Sequence, residues 1–176
     1  FNDAEPAAAA AARAALLSLE QRGAAIVNVT IPHLHALSLA HGMAIAMEFA
    51  QSLDTDYWGN WPFEANTRVS LGLGHSMSGV ELLAADRLRG WALQVMDGLF
   101  ARVDVVASPT VGMVAPALTE AARRTGVSDT ARIVQMMKHI FLANLLGKPA
   151  VSVPAGYGPE GLPLGLHLMA DHWREA

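Results

Sequence analysis

Residues 145–169 read LLGKPAVSVPAGYGPEGLPLGLHLM, two short apolar runs hemmed in by proline and glycine. Proline fixes φ and removes a backbone donor, and glycine enters turn conformations that other residues avoid. Runs this short, bounded this way, read as strands: Ala150 to Val153 and Leu164 to Met169, joined through the turn-rich Pro154 to Pro163. Val103 to Ser108 is expected to be a third, buried strand, stopped by Pro109. A chain committed to such strands must pair them, and the turns set their register.

Helical patterns alternate with these runs. Pro6 to Arg22 is alanine-rich, opened by proline and closed by Gly23, so a helix is expected there. Ile26 to Thr30 is β-branched and ended by Pro32, a strand signal. His33 to Leu53 is helical in composition and apolar on nearly every face, which predicts a helix covered by neighbours. Asp54 to Gly74, with Tyr57, Trp58, Trp61 and Pro62, has no period and is expected to be an irregular loop with aromatic anchors. Ser78 and Glu81 form a capping box, after which Leu82, Ala85, Leu88, Ala92, Val95 and Leu99 lay one apolar stripe along a helix. Thr110 to Val127 is expected as loop. Ser128 or Asp129 then caps a helix in which Ile133, Met136, Met137, Ile140 and Phe141 share a face until Gly147 ends it. The alternation places the chain in the α/β class.

Composition narrows the function. The chain is 52% apolar and only 16% charged, whereas about a quarter of an ordinary soluble chain is charged; the excess implies surfaces covered by something further. A net charge of −4 without any Lys/Arg cluster gives nucleic acid no electrostatic footprint. The absence of cysteine removes disulfides, thiolate metal sites and cysteine nucleophiles. The longest apolar run, Leu34 to Met47, is interrupted by His35 and His41 and falls short of the roughly 20 residues that span a bilayer. No signal peptide is recognisable at Phe1-Asn2-Asp3, and without an initiator methionine the chain is expected to begin inside a longer protein.

Candidate chemistry is sparse. His33 and His35 are two apart, the wrong spacing for ligands on one helix face, and no metal motif results. Lys138 and Lys148 are the only lysines; neither adjoins a Gly-rich nucleophile loop, and neither is expected to be a buried base. No G-x-S-x-G elbow exposes a serine. Ser108-Pro109-Thr110 stands where a buried strand finishes, a place where loops expose hydroxyls to ligands and equally a place where they satisfy nearby amides. Met43, Met47, Met96, Met113, Met136 and Met137 could adapt to an acyl chain, though methionine is also the usual gap-filler of cores.

Phe141-Leu-Ala-Asn-Leu-Leu-Gly-Lys-Pro-Ala-Val-Ser-Val-Pro-Ala-Gly-Tyr157, followed by Glu160-Gly-Leu-Pro-Leu-Gly-Leu-His-Leu-Met169, resembles the C-terminal end of the amidase signature family, in which a helix ending in N-L-x-G leads into a P-A-x-S-V-P strand and G-L-P-x-G-L opens the next. Val103-Asp-Val-Val-Ala-Ser-Pro-Thr-Val-Gly-Met-Val-Ala-Pro116 resembles its D-V-x-x-x-P-T strand and loop. Within the family, F-N-D at the start, A-N-L-L-G, the P-T-x-G-M-x-A-P loop and the M-x-x-x-W-x-E-A ending are similar to the plant-type fatty acid amide hydrolases.

That resemblance implies residues 1–176 are a single partial amidase domain, the C-terminal part of a mixed β-sheet core flanked by α-helices, incomplete in this chain. It implies a Ser-Ser-Lys hydrolase of fatty acid amides or N-acylethanolamines, in which one serine is acylated, a second relays its proton and lysine is the base. Those residues would lie upstream, since no Ser-Ser pair occurs here; the fragment alone would then be inert, with no catalytic residue to assign. Thr110, Gly112 and Met113 are expected to line the substrate pocket. Neither metal nor cofactor is implied. The expected partners are a small-molecule acyl amide and the rest of the amidase domain, not nucleic acid. A homodimer stays open, as does peripheral membrane contact through Trp58, Trp61 and Phe63 against internal packing of the same rings. An intracellular or peripheral membrane location is expected. Hydrolysis of other amides, including the amidotransferase reaction on charged tRNA, and a non-catalytic amidase-like scaffold are the alternatives.

Overall fold

A computed structural model describes residues 3–57, 63–126 and 129–175. Their order is α1 (Pro6–Gln21), α2 (Leu34–Tyr57), α3 (Ala65–Ser76), α4 (Gly79–Phe100), β1 (Val105–Pro109), α5 (Glu120–Thr125), α6 (Thr130–Met137), α7 (Phe141–Leu146), β2 (Ala150–Tyr157) and β3 (Pro163–Ala170). They form two compact units, one of Phe1–Pro32, Leu93–Pro116 and Ala131–Ala176, the other of His33–Ala92 and Ala117–Thr130.

The first unit is built on a three-stranded sheet of order β1-β3-β2, in which β3 pairs antiparallel with both neighbours. Helix α1 packs across all three strands. Ala8 and Ala12, one turn apart, are its buried positions, and their small side chains let the helix lie close to the sheet. On β3, Leu164, Leu166 and Met169 are buried, and α7 adds Phe141, Leu142, Ala143, Leu145 and Leu146. Each such large side chain contributes about 1.5–3 kcal/mol of transfer free energy. Gly147 ends α7 in the left-handed region at φ 66°, and the amide of Lys148 donates back to the Ala143 carbonyl at 3.0 Å. Pro154 stands in β2 beside a register irregularity at Gly156. Among the described residues β2 is an edge, where a missing N–H costs no ladder bond.

In the second unit α2 packs against α3, and Leu37, Ala40, Ala46, Ala50 and Leu71 of the two helices are buried. The capping box forms as expected: the Ser78 amide and hydroxyl donate to Glu81 Oε2 at 2.7 and 2.8 Å, and the Glu81 amide donates to Ser78 Oγ at 3.3 Å. These bonds hold the Glu81 carboxyl below its usual range.

Several expectations need correction. Ile26 to Thr30 is not a strand; the run has no regular secondary structure and is exposed, Val27 at 53%, because among the described residues no strand lies beside it to accept its ladder. The supposed loop from Asp54 to Gly74 is largely helix, as the end of α2 and most of α3. Polar residues and glycines hide the period of α3, and packing of Leu71 and Gly74 supplies what propensity lacks. The loop from Thr110 contains α5, capped by the Thr119 hydroxyl, which accepts from the Ala122 amide at 3.1 Å, and closed by Gly126 at φ 65°. The long helix before Gly147 is broken into α6 and α7 by a turn at 138–140, and Ile133 is exposed. Trp58, Trp61 and the Ser128 cap lie outside the described residues; Phe63 is half-buried.

Lys148, placed by sequence in a turn, is buried by ion pairing. Its side chain is fully buried, with Nζ 2.6 Å from Asp171 Oδ1, 3.3 Å from Asp97 Oδ1 and 3.2 Å from His172 Nδ1, and 5.1 Å from the centre of the Phe100 ring. Burial was invisible locally because both carboxylates come from distant segments. Held between them, Lys148 is an ion-pair partner built into the fold.

Candidate functional site

Thr110 leaves β1 with its amide still donating to the Gly165 carbonyl at 2.9 Å. Its hydroxyl lies 2.6 Å from that of Ser152 on β2, although β3 runs between the two strands. Gly165 makes this bridge feasible: a Cβ there would stand 2.6 Å from Thr110 Oγ1 and 2.7 Å from Ser152 Oγ. Beside this pair, Ser108, His167 and Ser152 occupy one cross-strand row. His167 is buried, and desolvation lowers its pKa. The sheet therefore carries hydroxyls and a neutral-leaning imidazole on one row, where an all-apolar face would serve packing alone.

The loop beyond Thr110 is fastened to the chain that enters α1. The Glu5 amide donates to the Gly112 carbonyl at 2.7 Å, and the Val114 amide donates to Glu5 Oε2 at 3.0 Å. Lys138 Nζ is 3.1 Å from Asp3 Oδ2, donates to the Asp3 carbonyl, and reaches Gln135 Oε1 at 3.0 Å. Together Glu5, Gly112, Met113, Gln135 and Lys138 line a cavity of about 390 Å³, within the size range of small-molecule sites.

His139 lies behind Gly112. Its Nε2 is buried with no hydrogen-bond partner among the described residues, and burial above all lowers its pKa to about 4, the Lys138 cation adding a smaller push in the same direction. At neutral pH the ring is uncharged, which avoids adding a second cation beside Lys138.

Of the expected pocket residues, Gly112 and Met113 line one cavity, whereas Thr110 joins Ser152 over Gly165. Sequence reasoning missed Ser152, Glu5 and His139, and weighed Lys138 only as a base. Ser152 could have been found from strand register, since it falls opposite His167, which also pairs with Ser108. The others come together only through folding. Among the described residues no cluster of three or more His, Asp and Glu side chains could hold a metal, and no helix is long and apolar enough to cross a membrane.

Gly112 supports a direct test. A Cβ at this position would lie 2.6 Å from Lys138 Cε and 3.1 Å from His139 Nε2. The lysine stem can yield but the half-buried ring cannot easily do so, and overpacking of this kind costs about 1–3 kcal/mol. Gly112→Ala in the full-length protein is expected to lose stability by about 1 kcal/mol in urea denaturation; an unchanged midpoint would show that the ring and the lysine stem make room for the added methyl.

An antiparallel sheet carrying α1, with a hydroxyl-bearing loop beside a partly charged cavity, defines one part of a larger α/β architecture. The Amidase family profile matches residues 1–176, and the chain belongs to that family. It is 36% identical over 156 residues to the fatty acid amide hydrolase of Medicago truncatula, covering 88% of this chain and 26% of that relative. The Arabidopsis thaliana fatty acid amide hydrolase is likewise 36% identical over 157 residues, with the same coverage of 88% and 26%. A solved structure of 6-aminohexanoate cyclic dimer hydrolase superposes with a TM-score of 0.76 at 21% identity, over 98% of this chain and 39% of that one; at that identity the likeness concerns the fold. The chain thus spans about a quarter of the length of the curated relatives it matches.

Proposed function

We propose that this chain is the C-terminal part of a single amidase domain whose whole protein hydrolyses fatty acid amides, N-acylethanolamines among them, through a Ser-Ser-Lys centre contributed by upstream residues. The observation that carries this reading is the 36% identity to plant fatty acid amide hydrolases across 88% of the chain. In this role Thr110, Gly112 and Met113 border the acyl amide, with the Thr110–Ser152 hydroxyl pair next to them.

Further support comes from what the first unit leaves uncovered. Among the described residues β1 and β2 each have one unpaired side, and Val151 and Tyr157 on β2 are 55% and 77% exposed. Unpaired edges with apolar side chains are normally covered or paired, and the remaining part of an amidase domain is the partner they fit. The −4 charge without a basic cluster disfavours the tRNA alternative.

The test is an assay of the full-length protein and of residues 1–176 on N-acylethanolamines of graded chain length, beside an aryl amide and a short aliphatic amide. The full-length protein is expected to prefer the long-chain substrates and the fragment to be inactive. Preference for the small amides would shift the substrate class, inactivity of the full-length protein on all of them would favour a scaffold, and hydrolysis by the fragment would overturn the upstream centre.

A further inference from the structure

We infer that the helical unit carries a second, separate ligand site, a groove between α2 and α3 that takes small primary amines bearing a short apolar chain. Met47, Ala50 and Asp54 recur along one face of α2, spaced three and four apart. Gly74, His75 and Met77, at and just beyond the end of α3, face them across a cavity of about 500 Å³, ample for such a ligand. The thioethers of Met47 and Met77 supply polarisable walls that adapt to an alkyl chain. At Gly74 the two backbones approach closely, which fixes the spacing of the groove walls.

The polar part of the lining selects the head group. Asp54 Oδ2 lies 3.1 Å from His75 Nε2, and Asp54 has no other ionic partner among the described residues. Its side chain is only 17% exposed, so its charge is weakly screened. Gln51 is the third polar residue of the lining, and among the described residues no lysine or arginine lines the groove. An ammonium entering here meets a partly desolvated carboxylate and an imidazole, and its charge-assisted hydrogen bond is of the stronger kind. A carboxylate head meets repulsion, and a hydroxyl gains only a neutral hydrogen bond. The site does not depend on the acyl amide reading and shares no residue with the cavity beside Gly112.

The test uses the full-length protein with methyl-labelled methionine, titrated with n-hexylamine, hexan-1-ol and hexanoate at neutral pH and followed by NMR. Saturable shifts of the Met47 and Met77 methyl signals are expected with n-hexylamine, with the alcohol weaker and the acid without effect. Asp54→Asn is expected to weaken amine binding on the order of tenfold, the loss of one charge-assisted bond. Met47→Trp, which fills the groove and leaves the carboxylate in place, is expected to abolish it. Equal binding of alcohol and amine, undiminished amine binding by Asp54→Asn, or no shift at either methyl would each overturn the assignment. Hydrolysis of N-acylethanolamines, followed on the same samples, separates this outcome from that of the proposed activity.

Discussion

Gly74→Ala is expected to destabilise the helical unit by about 2 kcal/mol, against the trend for helices. An exposed glycine inside a helix gains about 1 kcal/mol on becoming alanine, because the unfolded chain loses freedom. At position 74 the added Cβ would overlap the Ala46 carbonyl oxygen and stand 2.7 Å from Ala50 Cβ. A backbone oxygen in the middle of a helix cannot rotate away, so α3 would have to move off α2 and expose Leu71 and Ala50, both buried. Gly72, two residues earlier in the same helix, is the matched control: it is exposed and a Cβ there meets nothing within 4 Å. Gly72→Ala is therefore expected to gain about 0.5–1 kcal/mol. Urea denaturation of the two variants of the full-length protein should move in opposite directions; a stabilised Gly74→Ala would mean that the two helices are not in backbone contact.

Lys148 should show the second large effect, and an asymmetric one. Lys148→Ala removes the ion pairs, the cation over the Phe100 ring and the buried aliphatic stem, a loss of about 2–4 kcal/mol. Lys148→Met retains most of that stem, and Asp97 and Asp171, 65% and 40% exposed, can rehydrate once the ammonium is gone. Its cost is expected to be about 1–2 kcal/mol. The reverse change, Asp97→Asn with Asp171→Asn, leaves a buried ammonium with no counter-charge and should destabilise more than Lys148→Met, because a stranded buried charge is worse than a missing pair. Equal losses in the two would show that the lysine reaches water.

The same cluster sets a pH dependence. The hydrogen bond from Lys148, followed by that from the His172 amide, holds the Asp171 carboxyl below its ordinary value of 3.8. A carboxyl lowered in the folded state contributes stability that is present above 3.8 and is lost as pH falls through the lower folded value. Thermal melts of Lys148→Met should consequently show a shallower decline into acid than those of the parent protein.

The sequence alone was enough for whatever depends on neighbours along the chain. The capping box at Ser78 and Glu81, the helix opened by Pro6, the left-handed stop at Gly147 and the strands around Pro154 and Pro163 are all local, since each is a backbone preference enforced within a few residues. Family membership was legible for the same reason, because the turn residues of 141–169 are dictated position by position.

Tertiary structure decided the rest. Ile26 to Thr30 has the composition of a strand and no partner among the described residues, while α3 has poor composition and a good partner in α2. The bridge from Thr110 to Ser152 depends on Gly165 leaving room between them. Burial of Lys148 depends on carboxylates 51 and 23 residues away. Pairing, packing and desolvation act between atoms brought together from distant parts of the chain, so no window of sequence contains them.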